Sequence, residues 1–357
     1  MKNKEKANIC LLLGAGVSVE QKLPQWDGLV ESVIKYFNID LNVSKDNLVE
    51  SIAIIEDSRI KDLKQNAEKN GIVFSYDDYR FFSRRQIAKA TRACLKQNLR
   101  NRSLKDIKNN MKLMRVIAEN VYQRVKEKNL TTIITYNFDD YFEFCFKCVL
   151  KENNELNMYS KYLTSYTIGD EKKHLPSGAK EETLVNVYHV HGFIPAFDEV
   201  FGNELTGEKK EIYKTQVDYD RYLDCGIIFS GNDYNSLMND KLVDWTNMIQ
   251  YICYSQLPVS IIGFSLTDAN FRILIQRMQK SKQKMREVML FFGYKDGDIS
   301  ECKIANTNKE TANYILNGLC DKEHLKYKIE TFGDCYSAEV EKHLKMFLKR
   351  KENLKPS

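Results

Sequence analysis

The sequence predicts an α/β fold built on a parallel sheet with helices on both faces and interrupted by a mainly helical insertion. Short apolar runs that end at glycine or polar residues, such as residues 9–13, indicate strands buried on both faces, which is typical of parallel sheets. In the last third of the chain such runs alternate with helical patterns, which indicates successive β–α units. Residues 39–130 instead contain very few glycines and no convincing strand, and they predict the insertion.

Length and composition restrict the classes of protein that fit. The 357 residues suffice for one large domain with an insertion or for two domains. A content of 43% hydrophobic and 29% charged residues is typical of a globular protein, and a net charge of +5 is too small to predict nucleic-acid binding. The N-terminus has no apolar signal core, and no run approaches the roughly 18 apolar residues of a membrane span. We therefore expect a cytoplasmic protein without membrane contact.

The predicted sheet domain has two parts, residues 1–38 and 131–357, with the insertion 39–130 between them. Apolar residues at helical spacing predict the first helix over residues 28–37. Further strands are expected at residues 131–135, 183–192, 227–230, 259–265, 288–294 and 325–332. Further helices are expected at residues 141–150, 233–255, 268–285, 309–319 and from 337 onward.

The segment 151–224 is polar and contains loop signals on both sides of the expected strand 183–192. Long loops in compact domains are often functional. We therefore interpret the segment as a candidate lid over a site.

The nine cysteines form no metal-binding pattern of the usual spacing. Cys145 and Cys148 are a CxxC pair, but no second CxxC follows at zinc-ribbon spacing. The pair lies in an apolar stretch with helical spacing, so we interpret both residues as core side chains and expect no zinc site.

Polar residues follow four of the expected strands. Ser18 comes after the first strand and its Gly14-Ala15-Gly16 turn. The other three ends carry Asn137 with Asp139, His191, and Gly263 with Ser265 and Asp268. The carboxyl ends of strands line the ligand crevice in open α/β sheets, so these groups predict a shared site.

The glycine turn differs from the dinucleotide fingerprint of dehydrogenases. Val19 stands where the pattern G-x-G-x-x-G requires its third glycine, and no acidic residue ends a clear second strand about 20 residues further on. A hydride-transfer enzyme is therefore disfavoured, although the turn still fits a pyrophosphate.

The four strand ends together resemble the sirtuin-like superfamily. The matching motifs are GAGVS followed by LPQW, then TYNFD, HVHG and GFSLTD, in that order. The resemblance covers a Rossmann-like portion, residues 7–38 and 131–335, and leaves the insertion unexplained. It implies an enzyme that consumes NAD as its substrate by breaking the nicotinamide–ribose bond.

The resemblance also implies roles for individual residues. Asn137 would orient a water or the ribose, Asp139 would line the nicotinamide and ribose pocket, and His191 would be the general base. Gly14, Ala15, Gly16 and Ser18 would hold the NAD diphosphate and ribose. Gly263, Ser265 and Asp268 would contact the adenosine side. His189 shares the strand face of His191 by the period-two rule and is interpreted as a pocket wall.

The single CxxC indicates a particular branch of that superfamily. Deacylating sirtuins carry a four-cysteine zinc module, so the chain is more similar to the zinc-free bacterial sirtuin-like proteins that hydrolyse NAD in anti-phage defence by abortive infection. This branch implies regulation through a homo-oligomer and a HerA-type ATPase as partner.

Other readings stay open at this point. A zinc-independent NAD-dependent protein deacylase or ADP-ribosyltransferase fits the same motifs, as does a non-enzymatic sensor of NAD or ADP-ribose. The basic run between Arg84 and Lys108 fits a solvated helix face better than contact with nucleic acid or an acidic partner.

Overall fold

A computed structural model of the chain describes its architecture around one sheet. The described residues are 8–24, 26–38, 48–167, 183–207, 227–228, 244–266, 268–285, 287–294, 310, 315–316, 325–331 and 334–349. Most of the helix expected at 309–319, the part of the expected helix over 233–243, half of the strand expected at 227–230 and the last residues of the chain lie outside them.

The elements follow one another in the order that the sequence predicts, with additions discussed below. The strands are β1 (Ile9–Leu13), β2 (Thr131–Thr135), β3 (Leu163–Thr167), β4 (Val185–His189), β5 (Pro258–Ile262), β6 (Glu287–Tyr294) and β7 (Leu325–Thr331). The helices are α1 (Trp26–Tyr36), α2 (Leu48–Lys69), α3 (Tyr76–Arg100), α4 (Leu104–Asn109), α5 (Lys112–Lys126), α6 (Tyr141–Glu152), α7 (Tyr159–Tyr162), α8 (Ala196–Thr206), α9 (Asp244–Gln256), α10 (Ala269–Lys280) and α11 (Asp334–Lys349). A 3-10 helix, Ala15–Gln21, follows β1 directly.

The seven strands form one parallel sheet in the order β3-β4-β2-β1-β5-β6-β7. β1 lies at the centre, between β2 and β5. Because every strand runs in the same direction, the segments that follow β1, β2, β4 and β5 meet at one edge of the sheet. These are the segments that carry the predicted site residues.

Both faces of the sheet are buried, as the apolar strand pattern predicts. In β1, Leu11 and Leu13 pack into one hydrophobic core while Cys10 and Leu12 pack into the other. Helices α1, α3, α5, α6, α8 and α11 supply residues to the first core, and α9 and α10 supply residues to the second. The predicted α/β fold with helices on both faces is therefore confirmed.

The described part of the insertion contains four helices, α2 to α5, and no strand. Helix α5 packs against α6 and α11. Three residues of the basic run form ion pairs inside the molecule, because Arg92 and Lys96 pair with Glu199 of α8 and Arg84 pairs with Glu56 of α2. For these three residues the expected solvated helix face is wrong, and the boundaries of the insertion as a domain stay a prediction.

Two elements correct the prediction of loops in the segment 151–224. Residues Leu163–Thr167 form the edge strand β3, and Ala196–Thr206 form helix α8 with Phe197, Phe201 and Leu205 in the core. β3 was missed because an edge strand with partly exposed polar residues lacks an apolar pattern. The remaining parts of the candidate lid, 168–182 and 208–226, lie outside the described residues. Among the helices that the structure describes, none is both long enough and apolar enough to cross a membrane.

Candidate functional site

The glycine turn after β1 packs directly against the turn after β5. The Gly16 N–H donates to the Gly263 carbonyl at 2.8 Å, and the Gly14 N–H donates to the Ile262 carbonyl at 3.1 Å. A Cβ on Gly14 would lie 2.5 Å from the Gly263 oxygen, and one on Gly16 would lie 2.7 Å from the Gly263 Cα. Gly263 itself has a φ of 65°, which favours glycine. The glycines therefore allow the two backbone turns to touch. From the sequence alone, the missing Cβ atoms were instead expected to make room for an anion.

Asn137 joins the ends of β1 and β2. Its Nδ2 group donates to the Gly14 carbonyl at 3.1 Å and to the Ser18 hydroxyl at 3.3 Å. The Ser18 hydroxyl in turn donates to Asp139 Oδ2 at 3.3 Å. The Thr135 hydroxyl accepts the Asn137 N–H, which turns the chain at the end of β2. Four of the predicted site residues thus form one hydrogen-bonded group.

The carboxyl group of Asp139 is held in an unfavourable environment for its charge. Burial raises its pKa to about 6, although a hydrogen bond from the Tyr141 N–H and the charge of His189 act in the opposite direction. At neutral pH Asp139 is therefore ionised with only a narrow margin.

The histidine at the end of β4 contacts this group. His189, the last residue of β4, is fully buried, with Nε2 2.7 Å from Glu143 Oε1 and Nδ1 3.4 Å from the Asn137 main-chain oxygen. The Ser165 hydroxyl of β3 donates to the same Glu143 oxygen at 2.7 Å. We call Ser18, Asn137, Asp139, Glu143 and His189 the polar cluster.

His191 has different neighbours. Its ring meets the ring of Tyr136 edge-on with centroids 4.7 Å apart, and its Nε2 lies 3.5 Å from Asp268 Oδ2. Asp268 also accepts the Phe271 N–H at the start of α10, as its predicted position before that helix requires. The Phe264 ring packs on Tyr136 at 4.7 Å. We call Tyr136, His191, Phe264 and Asp268 the aromatic cluster.

His189 and His191 therefore do not share a wall. His189 contacts α6 through Glu143, whereas His191 contacts Tyr136 and Asp268. The period-two rule fails here because the strand ends at His189. Gly192, with a φ of 102°, then turns the chain, which explains the His-Gly pair.

The remaining predicted residues lie at the two turns. Ala15 begins the 3-10 helix, and Ser265 is exposed one residue beyond Phe264. Asp268 stands beside His191, so its expected contact with adenosine competes with a role at the histidine. His191 is only 2% exposed and Asn137 only 9%, so solvent reaches the two predicted catalytic side chains poorly.

Two groups at the site were not found from the sequence. Glu143 is 2% exposed within the apolar run YFEFCFKCVL, and a lone acidic residue in such a run signals a buried partner. Tyr136 directly precedes Asn137, and its hydroxyl donates to Gln250 of α9 at 2.5 Å. From the sequence, Glu143 is expected only to be a residue of the helix 141–150, and Tyr136 only to follow the strand 131–135.

The 3-10 helix is connected to the insertion by Glu20. Its carboxylate accepts the N–H groups of Leu113 and Met114 at the start of α5, at 2.8 and 3.0 Å. The Tyr141 hydroxyl donates to the same carboxylate at 2.7 Å. One acidic side chain therefore links the glycine turn, α5 and α6.

Cys145 and Cys148 are buried free thiols in α6, and burial raises the pKa of both. Their environment is a packed core. Within the part of the chain that the structure describes, no group of three or more histidine, cysteine or acidic side chains could hold a metal ion.

The fold and the strand-end residues define a Rossmann-like α/β protein whose polar groups meet at the carboxyl edge of a parallel sheet. The model of the SIR2-like domain family matches residues 131–315, more than half of the chain, and the chain belongs to this family. The match places the chain in the sirtuin-like superfamily and indicates an NAD-related activity, since this family is NAD-dependent and enzymatic in general. No curated protein matches the chain.

The matched region begins at β2 and includes Asn137, Asp139, His191 and the turn after β5. The glycine turn lies before it and reaches the same edge through β1.

Proposed function

We propose that the protein is an NAD⁺ hydrolase that cleaves the nicotinamide–ribose bond to give ADP-ribose and nicotinamide. The hydrogen-bonded group of Ser18, Asn137 and Asp139 supports this most, because three polar side chains from two strand ends meet there. Membership of the SIR2-like domain family supports the choice of NAD as the substrate.

The polar cluster suits the charge that develops in this reaction. When the bond between ribose C1′ and nicotinamide breaks, its electron pair moves to the pyridinium nitrogen, so nicotinamide leaves as a neutral molecule. The ribose becomes oxocarbenium-like, and fixed dipoles and a carboxylate stabilise such a cation. Nδ2 of Asn137 is held by Gly14 and Ser18, which directs its Oδ1 acceptor away from them and toward a ribose hydroxyl or a water.

His191 completes the reaction as the general base. A water attacks C1′ and gives its proton to the imidazole, a group whose ordinary pKa of about 6.5 suits this transfer near neutral pH. Asp268, 3.5 Å from Nε2, favours the protonated imidazole that results. The proton then passes to solvent, and the products are ADP-ribose, nicotinamide and one proton.

We assign the rest of NAD to the two touching turns. The Gly16 N–H is bonded to Gly263 and the Val17 N–H to Gly14, so these amides are engaged within the protein. The diphosphate is therefore assigned to the Ala15 end of the 3-10 helix, and the adenosine to Gly263 and Ser265. The Ser18 hydroxyl donates to Asp139, so Ser18 is assigned to the neighbouring ribose, whose hydroxyl it can accept.

The test is product analysis by mass spectrometry after incubation of the full chain with NAD, alone and with extract of phage-infected cells. Asn137→Ala and His191→Ala are each expected to lower the rate at least 100-fold, because each removes a group that acts in the transition state. Asn120→Ala and His343→Gln change a buried asparagine and a buried histidine elsewhere and should retain the activity. Full activity of both site variants would exclude the assignment.

The same experiment separates the alternatives. An acylated ADP-ribose formed only with an acyl-peptide would indicate a deacylase, and ADP-ribosylated protein would indicate a transferase. Tight NAD binding without turnover under every condition would indicate a sensor.

The biological role follows as a further part of the proposal. Depletion of NAD in an infected cell is suited to anti-phage defence, and such an activity must be restrained at rest. We propose that homo-oligomer formation and a HerA-type ATPase supply this restraint. Co-purification from cells that express both proteins, followed by the NAD assay, tests the partnership.

A further inference from the structure

One buried pair of ionisable side chains in the polar cluster takes no step of its own in the hydrolysis described above. His189 and Glu143 are 0% and 2% exposed, and they come from β4 and α6. The side chain of His189 contacts the segment that carries Asn137 and Asp139.

Both ring nitrogens of His189 face an oxygen atom. Nδ1 lies 3.4 Å from the Asn137 main-chain oxygen, and Nε2 lies 2.7 Å from Glu143 Oε1. Oε1 also accepts the Ser165 hydroxyl, as an ionised carboxylate does. The ring of His189 is therefore held between the main chain at Asn137 and the side chain of Glu143 on α6.

The carboxyl group of Glu143 is stabilised in its ionised form. Burial acts to raise its pKa, but the interaction with His189 and the Ser165 hydroxyl outweigh it, so the pKa of Glu143 is lowered. Its Oε2 is buried with no hydrogen-bond partner among the described residues. The carboxylate therefore depends on His189 and Ser165 for its compensation.

We propose that His189 and Glu143 are a positioning pair, which holds the main-chain carbonyl of Asn137 in place. The carbonyl contact fixes the backbone at Asn137 and so helps to keep Nδ2 facing Gly14 and Ser18. The groups that face His189 are Glu143 from α6, Asp139 and the Asn137 carbonyl after β2, and the Phe193 ring at 4.3 Å. This role rests on the proposed hydrolysis, because it acts through Asn137.

The kinetic test compares His189→Gln with the double variant His189→Gln/Glu143→Gln. The single change leaves the buried Glu143 carboxylate without its histidine partner and lowers the midpoint of urea denaturation. The double change also replaces this carboxylate by an amide, and the midpoint recovers. We expect kcat to fall roughly 10- to 100-fold in both variants with KM within about threefold of wild type, because a displaced catalytic group slows the chemical step. Recovery of kcat together with stability in the double variant would show that the pair only supports the fold.

A matched control is His343→Gln. This buried histidine contacts the Ser260 hydroxyl at 3.0 Å, so its loss should lower stability while kcat stays at the wild-type value. The comparison separates a general loss of packing from a specific effect on the site.

A spectroscopic test does not depend on hydrolysis. In ¹H–¹⁵N spectra of the full chain, the side-chain amide of Asn137, identified by its loss in Asn137→Ala, should shift in the double variant and stay in place in His343→Gln. An unmoved Asn137 amide in the double variant would overturn the proposal even in a protein that hydrolyses NAD. If the wild-type chain hydrolyses no NAD while the Asn137 amide shifts as expected, only the proposed hydrolysis fails.

Discussion

In the polar cluster each ionisable side chain has a hydrogen-bond partner within 3.3 Å, whereas His191 in the aromatic cluster lies against the Tyr136 ring and 3.5 Å from Asp268. The polar cluster takes Ser18 from the 3-10 helix, Asn137 and Asp139 from the segment between β2 and α6, His189 from the end of β4 and Glu143 from α6. The aromatic cluster draws Phe264 and Asp268 from the segment between β5 and α10.

This difference separates two requirements of the proposed reaction. Groups that stabilise a developing cation must be fixed in advance, and a network of hydrogen bonds fixes them. A general base must accept a proton during the reaction, and the Asp268 carboxylate 3.5 Å from Nε2 of His191 stabilises the imidazolium that results. Gly14 touches both clusters, because its carbonyl accepts from Asn137 and a Cβ placed on it would lie 2.8 Å from the Phe264 Cβ.

The largest expected effect concerns the contact of the two turns on which both clusters depend. In Gly16→Ala the new Cβ would lie 2.7 Å from the Gly263 Cα and 2.8 Å from its oxygen, and backbone atoms cannot move aside cheaply. We expect the free energy of unfolding to fall by about 3 kcal/mol and NAD hydrolysis to be lost. Urea denaturation measures the first effect.

Gly28→Ala is the matched control. The nearest atom to its new Cβ is Pro24 Cβ at 3.5 Å, and the residue lies inside α1. This variant should be as stable as wild type or more stable by about 0.5–1 kcal/mol. If Gly16→Ala and Gly28→Ala were equally stable, the contact between the turns after β1 and β5 would not be what supports the two clusters.

A smaller effect tests whether the polar cluster stores electrostatic strain. Because the folded-state pKa of Asp139, about 6, lies above the ordinary pKa of an aspartate, about 3.9, the native state binds its proton more tightly, and stability is lost as pH rises from about 4 through 6. Asp139→Asn removes this dependence. The variant should gain up to about 3 kcal/mol relative to wild type between pH 4 and pH 7.5, measured by urea denaturation at several pH values.

Asp78→Asn provides a control of opposite sign. The side chain and N–H of Ser75 lower the pKa of Asp78, so its ionised form stabilises the fold above about pH 4. That variant should lose stability relative to wild type as pH rises. A gain in Asp139→Asn that does not vary with pH would refute the electrostatic explanation.

The smallest expected change in stability belongs to the aromatic cluster. Asp268→Asn keeps a side-chain oxygen to cap α10, so the free energy of unfolding should change by less than about 0.5 kcal/mol. It removes the negative charge beside His191, and the acid limb of the pH–rate profile for NAD hydrolysis should move to lower pH. An unmoved acid limb would show that Asp268 serves only as a helix cap.

The sequence predicted the sheet well where its signal is local. Strands buried on both faces carry uninterrupted apolar runs, and β2 has the predicted bounds. Helix α8 was missed because its signal is not local. Asp140, 57 residues earlier, accepts the N–H groups of Phe197 and Asp198 at its start.

The candidate site divides in the same way. Asn137, Asp139 and Ser18 could be found because each directly follows a strand or its turn. The Glu143–His189 pair could not, because it depends on a 2.7 Å contact across 46 residues of sequence. The sequence therefore indicates which groups reach the edge of the sheet, while their protonation depends on contacts that only the fold brings together.

The Glu20 carboxylate has a consequence for how the chain can be divided. Burial raises its pKa, and the N–H groups of Leu113 and Met114 together with the Tyr141 hydroxyl compensate its charge. A shortened chain that lacks the insertion together with α5 would also lack these two N–H groups. The Glu20 carboxylate would then be only partly compensated, close to the glycine turn of the site. A shortened protein that preserves the sheet must therefore keep α5.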